Sequence, residues 1–256
     1  MASINLSVGL ITCNEEKNLE RTLRAVKDIA GEIVIIDNGS SDRTVEIAQS
    51  FGANVYREEW KGFGPQKNSV IDKCKGNWIL FIDADEEITP ELKNRIHDIT
   101  TKQIPLYDAY RIRFRSICFG KKIKYGGWSY YSTCLFRNGA GRYENKQVHE
   151  DFLTSAAVGT IKEYINHHTY RDLEEYFEKF NSYTSKLARQ YDEKGKRKSV
   201  LSIYCSAKFA FFKSYILKLG FLDGYEGYLL AKVGSMYHFI KYSKLREMKK
   251  NKIKKH

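Results

Sequence analysis

A chain of 256 residues with 42% hydrophobic and 14% aromatic content can bury a sizeable core, which excludes a disordered polypeptide. Forty-three Lys and Arg against 31 Asp and Glu leave a net charge of +12, which favours an anionic partner such as a phosphorylated substrate, a nucleic acid or a membrane surface. The five cysteines, Cys13, Cys74, Cys118, Cys134 and Cys205, are odd in number and far apart, which argues against a disulfide framework or a zinc ribbon and fits a reduced, cytosolic chain.

The first apolar run, residues 6–12, has no helical period and meets Asn14 and two glutamates at once, so it reads as a strand and not as an export signal. Residues 16–29 repeat Leu19, Leu23, Val26 and Ile29 on one helical face. Residues 32–37 (EIVIID) are nearly all β-branched, as a parallel strand buried on both faces requires. NGSSDRT then supplies turn residues, with Ser40 and Asp42 expected to cap the helix over 45–51. A strand over 53–58, a helix over 66–74 and a strand over 78–83 complete four units, which predict a parallel, doubly wound α/β sheet. Ligands bind such sheets at the carboxyl ends of the strands. Those ends read Asn14-Glu15, Asp37-Asn38 and Asp83-Ala84-Asp85-Glu86-Glu87. Carboxylates gathered at one edge repel one another, and a cation or an array of hydroxyl and amide donors offsets that repulsion. D-x-D alone is weak evidence for a metal; its place after a buried strand is what strengthens it.

In this order and spacing, LITCNEEKNLERTL, VIIDNGSSDRT, GFGPQKN and WILFIDADEEIT resemble the nucleotide-binding half of glycosyltransferase family 2, inverting enzymes of GT-A fold. CLFRNGAGRYENKQVHE and INHHTYRDLEEYFEKFNSYTSKLA resemble the subgroup typified by lipopolysaccharide core β-1,4-glucosyltransferases. The resemblance implies a Rossmann-like nucleotide-diphospho-sugar transferase domain over 1–170, with a nucleotide-binding half (1–90) and an acceptor half (91–170), followed by a helical appendage over 171–256. It implies that Thr12, Asn14, Glu15, Asp37, Gln66, Lys67, Asn68, Asp83 and Ala84 surround a UDP-sugar donor. In that arrangement Asp37 meets the uracil, Asp83 the ribose and Lys67 the diphosphate. Read bottom-up instead, Asn14 and Glu15 are a helix cap with a first-turn acid, and Lys67 is a solvated lysine.

The same resemblance implies Mg²⁺ or Mn²⁺ bound by Asp85, with Asp83 beside it and a histidine from INHHTY completing the site. His168 matches the subgroup pattern better than His167. A base must take the acceptor proton, and Val148-His149-Glu150-Asp151 offers two carboxylates. The subgroup pattern favours Glu150 and the wider family Asp151. His149 and Arg137 are candidates for an anionic acceptor, and Trp128, close to Tyr125, Tyr130 and Tyr131, for sugar stacking, although aromatic clusters more often pack cores.

Residues 173–191 read as a helix packed on the catalytic domain, and EKGKRK as a charged break. Residues 200–242 read as one or two helices. Within 200–222, Lys208, Lys213 and Lys218 interrupt the apolar residues, so this stretch is expected to lie on a bilayer and not to cross it. Eight basic residues against Glu247 between Lys241 and His256 hold more than half of the net charge. That basic tail fits an anionic membrane surface, and the helices fit either membrane contact or packing on the domain. Nucleic acid is not expected, because the basic residues do not line a groove with aromatics. The expectation is therefore an inverting, metal-dependent transferase moving a hexose, glucose first, to a glycolipid or glycan acceptor at the inner face of the cytoplasmic membrane. A rival is a basic binding module with a vestigial nucleotide pocket.

Overall fold

The computed structural model describes residues 5–101, 105–146 and 150–253. Its first half alternates β1 (Leu6–Thr12), α1 (Leu19–Val26), β2 (Glu32–Asp37), α2 (Thr44–Ser50), β3 (Asn54–Arg57), α3 (Phe63–Lys73) and β4 (Trp78–Phe81). There follow β5 (Glu86–Ile88), α4 (Pro90–Thr101), β6 (Ala109–Cys118), β7 (Lys121–Lys122), β8 (Ser129–Arg137), β9 (Arg142–Tyr143), β10 (Phe152–Leu153) and β11 (Val158–Tyr170). The rest is helical: α5 (Leu173–Glu193), α6 (Val200–Phe212), a π turn (Lys213–Leu217), a 3₁₀ turn (Gly220–Asp223) and α7 (Gly224–Ile253).

The main sheet has the order β3-β2-β1-β4-β8-β6-β11-β5, with β7 beside β6, while β9 and β10 pair separately. β3, β2, β1 and β4 are parallel, as their apolar runs predict. Beyond β4 the expectation of a wholly parallel sheet fails, since β8 is antiparallel to β4 and β11 antiparallel to β5. Burial on both faces is visible in β2 and β4. Ile33, Ile35, Trp78 and Leu80 join one apolar cluster with Leu19, Leu23 and Val26 of α1 and Leu92, Ile96 and Ile99 of α4. Val34, Ile36, Ile79 and Phe81 join another with Val70 and Ile71 of α3. Helices therefore cover both faces, and each buried Leu or Ile contributes about 1.5–3 kcal/mol relative to exposure.

One helix is shorter than its periodic residues predict. α1 begins at Leu19 and not at residue 16, because Glu15 carbonyl accepts from the Asn18 and Leu19 amides in a preceding turn. Asp42 accepts from the Thr44 amide at the start of α2, whereas Ser40 turns back to Asp37.

The chain forms two compact units, 1–114 with 130–167, and 115–129 with 168–256. The segment 115–129 thus groups with the helical region and not with residues 91–170. In the helical unit α7 packs on α5 and α6. The Asp223 carboxylate, 5% exposed, accepts from the amides of Lys124 and Tyr125. α6 with its π turn forms an 18-residue helical run, Val200–Leu217, long and apolar enough to cross a membrane, of which 11% is buried. Lys208 and Lys213 lie within this run, which by length and composition is apolar enough to span a bilayer despite them, whereas the sequence reading took such lysines to keep the stretch from crossing one.

Candidate active site

The carboxyl ends of β1, β2 and β4 lie side by side in the parallel register, so the residues that follow them meet at one edge. Asp37 is 1% exposed, and its carboxylate accepts from the Gly39 and Ser40 amides, the Ser40 hydroxyl and the Thr12 hydroxyl. Those bonds use the acceptor sites of both oxygens, so contact with a base requires displacing Ser40 or Thr12. Asn14 has φ +57° and crosses to the neighbouring loop: its amide donates to Ser40 Oγ at 2.8 Å and its Oδ1 accepts from the Ser41 amide at 2.9 Å. It cross-links the two loops and caps no helix. The Glu15 amide donates to Thr44 Oγ1 at 2.7 Å.

After β4 the chain makes a tight turn. The Glu86 amide donates to the Asp83 carbonyl at 3.1 Å, and the Asp83 amide to Glu86 Oε2 at 2.9 Å. Buried Thr22 of α1 fixes the turn by donating to the Ala84 carbonyl at 2.7 Å. β11 then pairs with β5 so that His167 stands opposite Glu86. Asp85, Glu86 and His167 each bring a ligand atom within 4.8 Å of the others, and His167 Nε2 is 3.3 Å from Asp85 Oδ2. Tyr130 Oη lies 3.4 Å from His167 Nδ1.

Burial and the charge of Asp83 raise the Glu86 carboxyl well above its ordinary range. Burial alone would lower the His167 imidazole, but its hydrogen bond to Asp85 and the charges of Asp85, Glu86 and Asp83 raise it to about 9. A cluster that holds protons this tightly is short of positive charge. Two carboxylates and an imidazole suit a small divalent cation of hard or borderline character. His167 takes the place expected of His168, which follows it on β11 and so projects from the opposite face of the strand.

Lys67 is 13% exposed, with Nζ 2.8 Å from Glu150 Oε1, 4.0 Å from Asp83 Oδ1, and 5.0 and 5.1 Å from the Phe81 and Tyr143 rings. Burial would lower its pKa, but Asp83 and Glu150 raise it, so this is no solvated lysine. α3 also positions Glu150. Gly64 N donates to the Lys146 carbonyl at 3.1 Å, and Asn68 exchanges two 2.9 Å bonds with the Tyr143 backbone. Asn68 therefore clamps β9 with its amide. From β9 the chain returns through the Glu144–Asp151 backbone contact at 2.9 Å, which leaves Glu150 inward, its side chain 9% exposed, and Asp151 exposed. Gln66 is fully buried, and its Nε2 has no hydrogen-bond partner among the described residues.

The other acceptor candidates fall elsewhere. Arg137 pairs with Trp78 at the amino end of β4 and bridges Asp108 at 3.0 Å. It is five residues, about 17 Å, along the strand from Asp83. Trp128 packs with Tyr170, Cys118 and Leu230 in the core of the helical unit. His149 and Val148 lie outside the described residues.

Glu86 is the functional candidate that motif reading misses, and His167 the one it ranks second to His168. The available signal is alternation: a strand starting at Glu86 points Glu86 and Ile88 to one side, and both are buried.

Comparison with known proteins follows the same residues. The profile described as "Glycosyl transferase family 2" matches residues 7–101. An uncharacterised glycosyltransferase of Rickettsia bellii (strain RML369-C) is 30% identical over 255 residues, covering 95% of this chain and 86% of its own. The lipopolysaccharide core biosynthesis glycosyltransferase LpsC of Rhizobium meliloti (strain 1021) is 27% identical over 252 residues, covering 94% and 91%. Among solved structures, the mannosyltransferase PcManGT from Pyrobaculum calidifontis, in complex with GDP-Man and Mn²⁺, matches in fold with a TM-score of 0.55 at 12% identity, over 96% of this chain and 88% of that one. A strand-end site on a sheet parallel as far as β4, a GT-A fold, and a relative aligned along nearly the whole length together show that the chain belongs to glycosyltransferase family 2.

Proposed function

We propose that the protein is an inverting, divalent-metal-dependent hexosyltransferase that moves glucose from UDP-glucose to a glycolipid of the lipopolysaccharide core. The observation that carries this reading is the meeting of Asp85, Glu86 and His167 with the Lys67–Glu150 ion pair beyond the carboxyl end of β4. Asp85, Glu86 and His167 would hold Mg²⁺ or Mn²⁺, the ion taking the place of the protons that Glu86 and His167 retain without it. Such an ion neutralises charge on a departing diphosphate.

The chain's own residues do the rest. The acceptor hydroxyl oxygen attacks the anomeric carbon on the face opposite the diphosphate. As that bond forms, the bond to UDP breaks and its electron pair leaves with UDP, inverting the centre. Glu150 takes the acceptor proton. Its neutralisation frees the Lys67 charge, 2.8 Å away, for the diphosphate. Asp83 faces the ribose, and the free Gln66 Nε2 donors are suited to a ligand oxygen.

Similarity along both chains to LpsC supports a lipopolysaccharide core acceptor. The exposed apolar face of α6 and its π turn, with Lys208 and Lys213 along it, supports attachment to the anionic inner face of the cytoplasmic membrane. The test is donor hydrolysis by the full chain with UDP-glucose, UDP-galactose and GDP-mannose, each with Mn²⁺, Mg²⁺ or chelator. Metal-dependent release of UDP from UDP-glucose, lost in Asp85→Ala, is expected. Undiminished release after chelation or in that variant overturns the metal reading, and turnover of GDP-mannose alone overturns the donor.

A further inference from the structure

The helical unit contains a cavity of about 620 Å³ between the end of α5, the connection to α6 and the last turns of α7. Lys196, Arg197, Lys198, Arg246, Lys249 and Lys250 line it. Asp192 is the one carboxylate in that lining among the described residues. A further cation, Lys241, is 7% exposed behind it, with Nζ 5.8, 5.4 and 5.4 Å from the rings of Tyr191, Tyr237 and Tyr242. Burial and the charges of Lys198 and Lys196 hold Lys241 below the ordinary lysine value.

So many like charges at close quarters repel, and the cost falls when an anion enters among them. Three of the cations, Lys196, Lys198 and Lys249, are also held in place before any ligand arrives. Lys196 Nζ lies 4.3 Å over the Tyr191 ring and Lys198 Nζ 4.3 Å over the Tyr242 ring. Those two rings stack at 5.5 Å, and Lys249 Nζ donates to the Lys196 carbonyl at 2.6 Å. Ordering long side chains is a main entropic cost of binding, and here much of it is met in the fold. Two guanidinium forks and several ammonium groups match the oxygens of a phosphate, and a doubly charged monoester gains more from them than a singly charged diester. The volume exceeds that of a bare phosphate and admits a sugar phosphate or a phospholipid headgroup.

We propose that this cavity is a binding site for a phosphate monoester, presented by a soluble sugar phosphate or by a lipid headgroup. Its lining comes wholly from the helical unit, so it does not depend on which donor the protein uses.

The full chain is titrated with glucose 6-phosphate and with inorganic phosphate at constant ionic strength. In parallel it is floated with phosphatidylcholine vesicles carrying either phosphatidic acid, a monoester, or phosphatidylglycerol, a diester. Arg197→Gln/Arg246→Gln/Lys249→Gln is compared with Lys27→Gln/Lys75→Gln/Lys162→Gln, which removes the same charge from exposed positions of the other unit. Expected is monoester binding weakened about tenfold or more in the first variant and unchanged in the second. Binding in the soluble arm identifies recognition of the phosphate itself, and binding confined to phosphatidic acid vesicles identifies a headgroup on a surface. No binding of a monoester in either form, or equal losses in the two variants, overturns the site. If the triple variant does not fold, Arg246→Gln alone, at an exposed position of α7, must weaken binding; unchanged binding overturns the proposal as well.

Discussion

Glu150 and Asp151 are adjacent in the chain yet differ in what they can do, because only Glu150 reaches the interior ion pair with Lys67. Glu150→Gln removes the proton acceptor and keeps its shape. Transfer should fall by about 10²-fold or more while UDP binding by calorimetry stays within a few-fold. Asp151→Asn should leave kcat nearly unchanged, and the opposite pattern reassigns the base. Much of this was legible from residue types: the acidic edge, the buried strand before Asp83 and Glu150 of the V-H-E stretch all lie at the site. The choice between His167 and His168 was not, because it depends on strand register, and β5 is only three residues long. Asp37 and Asn68 show the other limit. Their residue types suit a ligand, but their bonding capacity is taken by backbone partners, and for Asp37 also by the Ser40 and Thr12 hydroxyls, that sequence does not reveal.

At the scale of elements, α3 links the donor edge to the base. A Cβ on Gly64 would lie 1.8 Å from the Glu144 carbonyl oxygen, so Gly64→Ala must push β9 and the segment leading to Glu150 outward. It should cost about 1–3 kcal/mol in denaturant unfolding and reduce turnover more than donor binding. The far side of α3 is tied down by Glu58, which bridges Lys73 and Lys61 and accepts from Ser69. Burial raises the Glu58 carboxyl, but these partners outweigh burial and bring it down to about 2. A depressed carboxyl adds stability above its unfolded value near 4.5, and that stability is lost as pH falls through about 2. Glu58→Gln should therefore lower Tm at pH 7, with the gap to wild type closing as pH approaches 2; a gap constant with pH would refute the linkage. The parallel strands were readable as apolar runs, whereas β6 was missed. Its alternation is nonetheless plain, with Ile112 and Phe114 buried and Arg111 exposed in a strand that lies between β8 and β11. The two-residue strands β9 and β10 carry no periodic signal at all.

Across the whole molecule, the basic excess serves two purposes that composition could not separate. Part of it lines the cavity between α5 and α7, and part sits among apolar side chains on α6. α7 runs unbroken to Ile253 with Leu245 buried, so removing residues from 243 onward would disturb packing as well as charge. Lys254 and Lys255 lie outside the described residues. A cleaner test of attachment is Phe209→Ser/Phe212→Ser, since both side chains are about half exposed or more, at 58% and 47%. Co-sedimentation with anionic vesicles should drop several-fold without loss of Tm, and unchanged binding would remove α6 from the membrane reading. The helical boundaries near Leu173 and Val200 were legible because Asp172 and Ser199 accept from the third residue on, a capping pattern visible in sequence. α6 also carries Cys205, which is exposed, whereas Cys74, Cys118 and Cys134 are buried. The exposed Cys13 thiol is raised by partial burial and by the charges of Asp37, Glu15 and Asp42, which slows its alkylation. A maleimide dye at moderate pH will therefore label chiefly Cys205, and its emission colour becomes a built-in gauge of how deep this helix sits in oil or water.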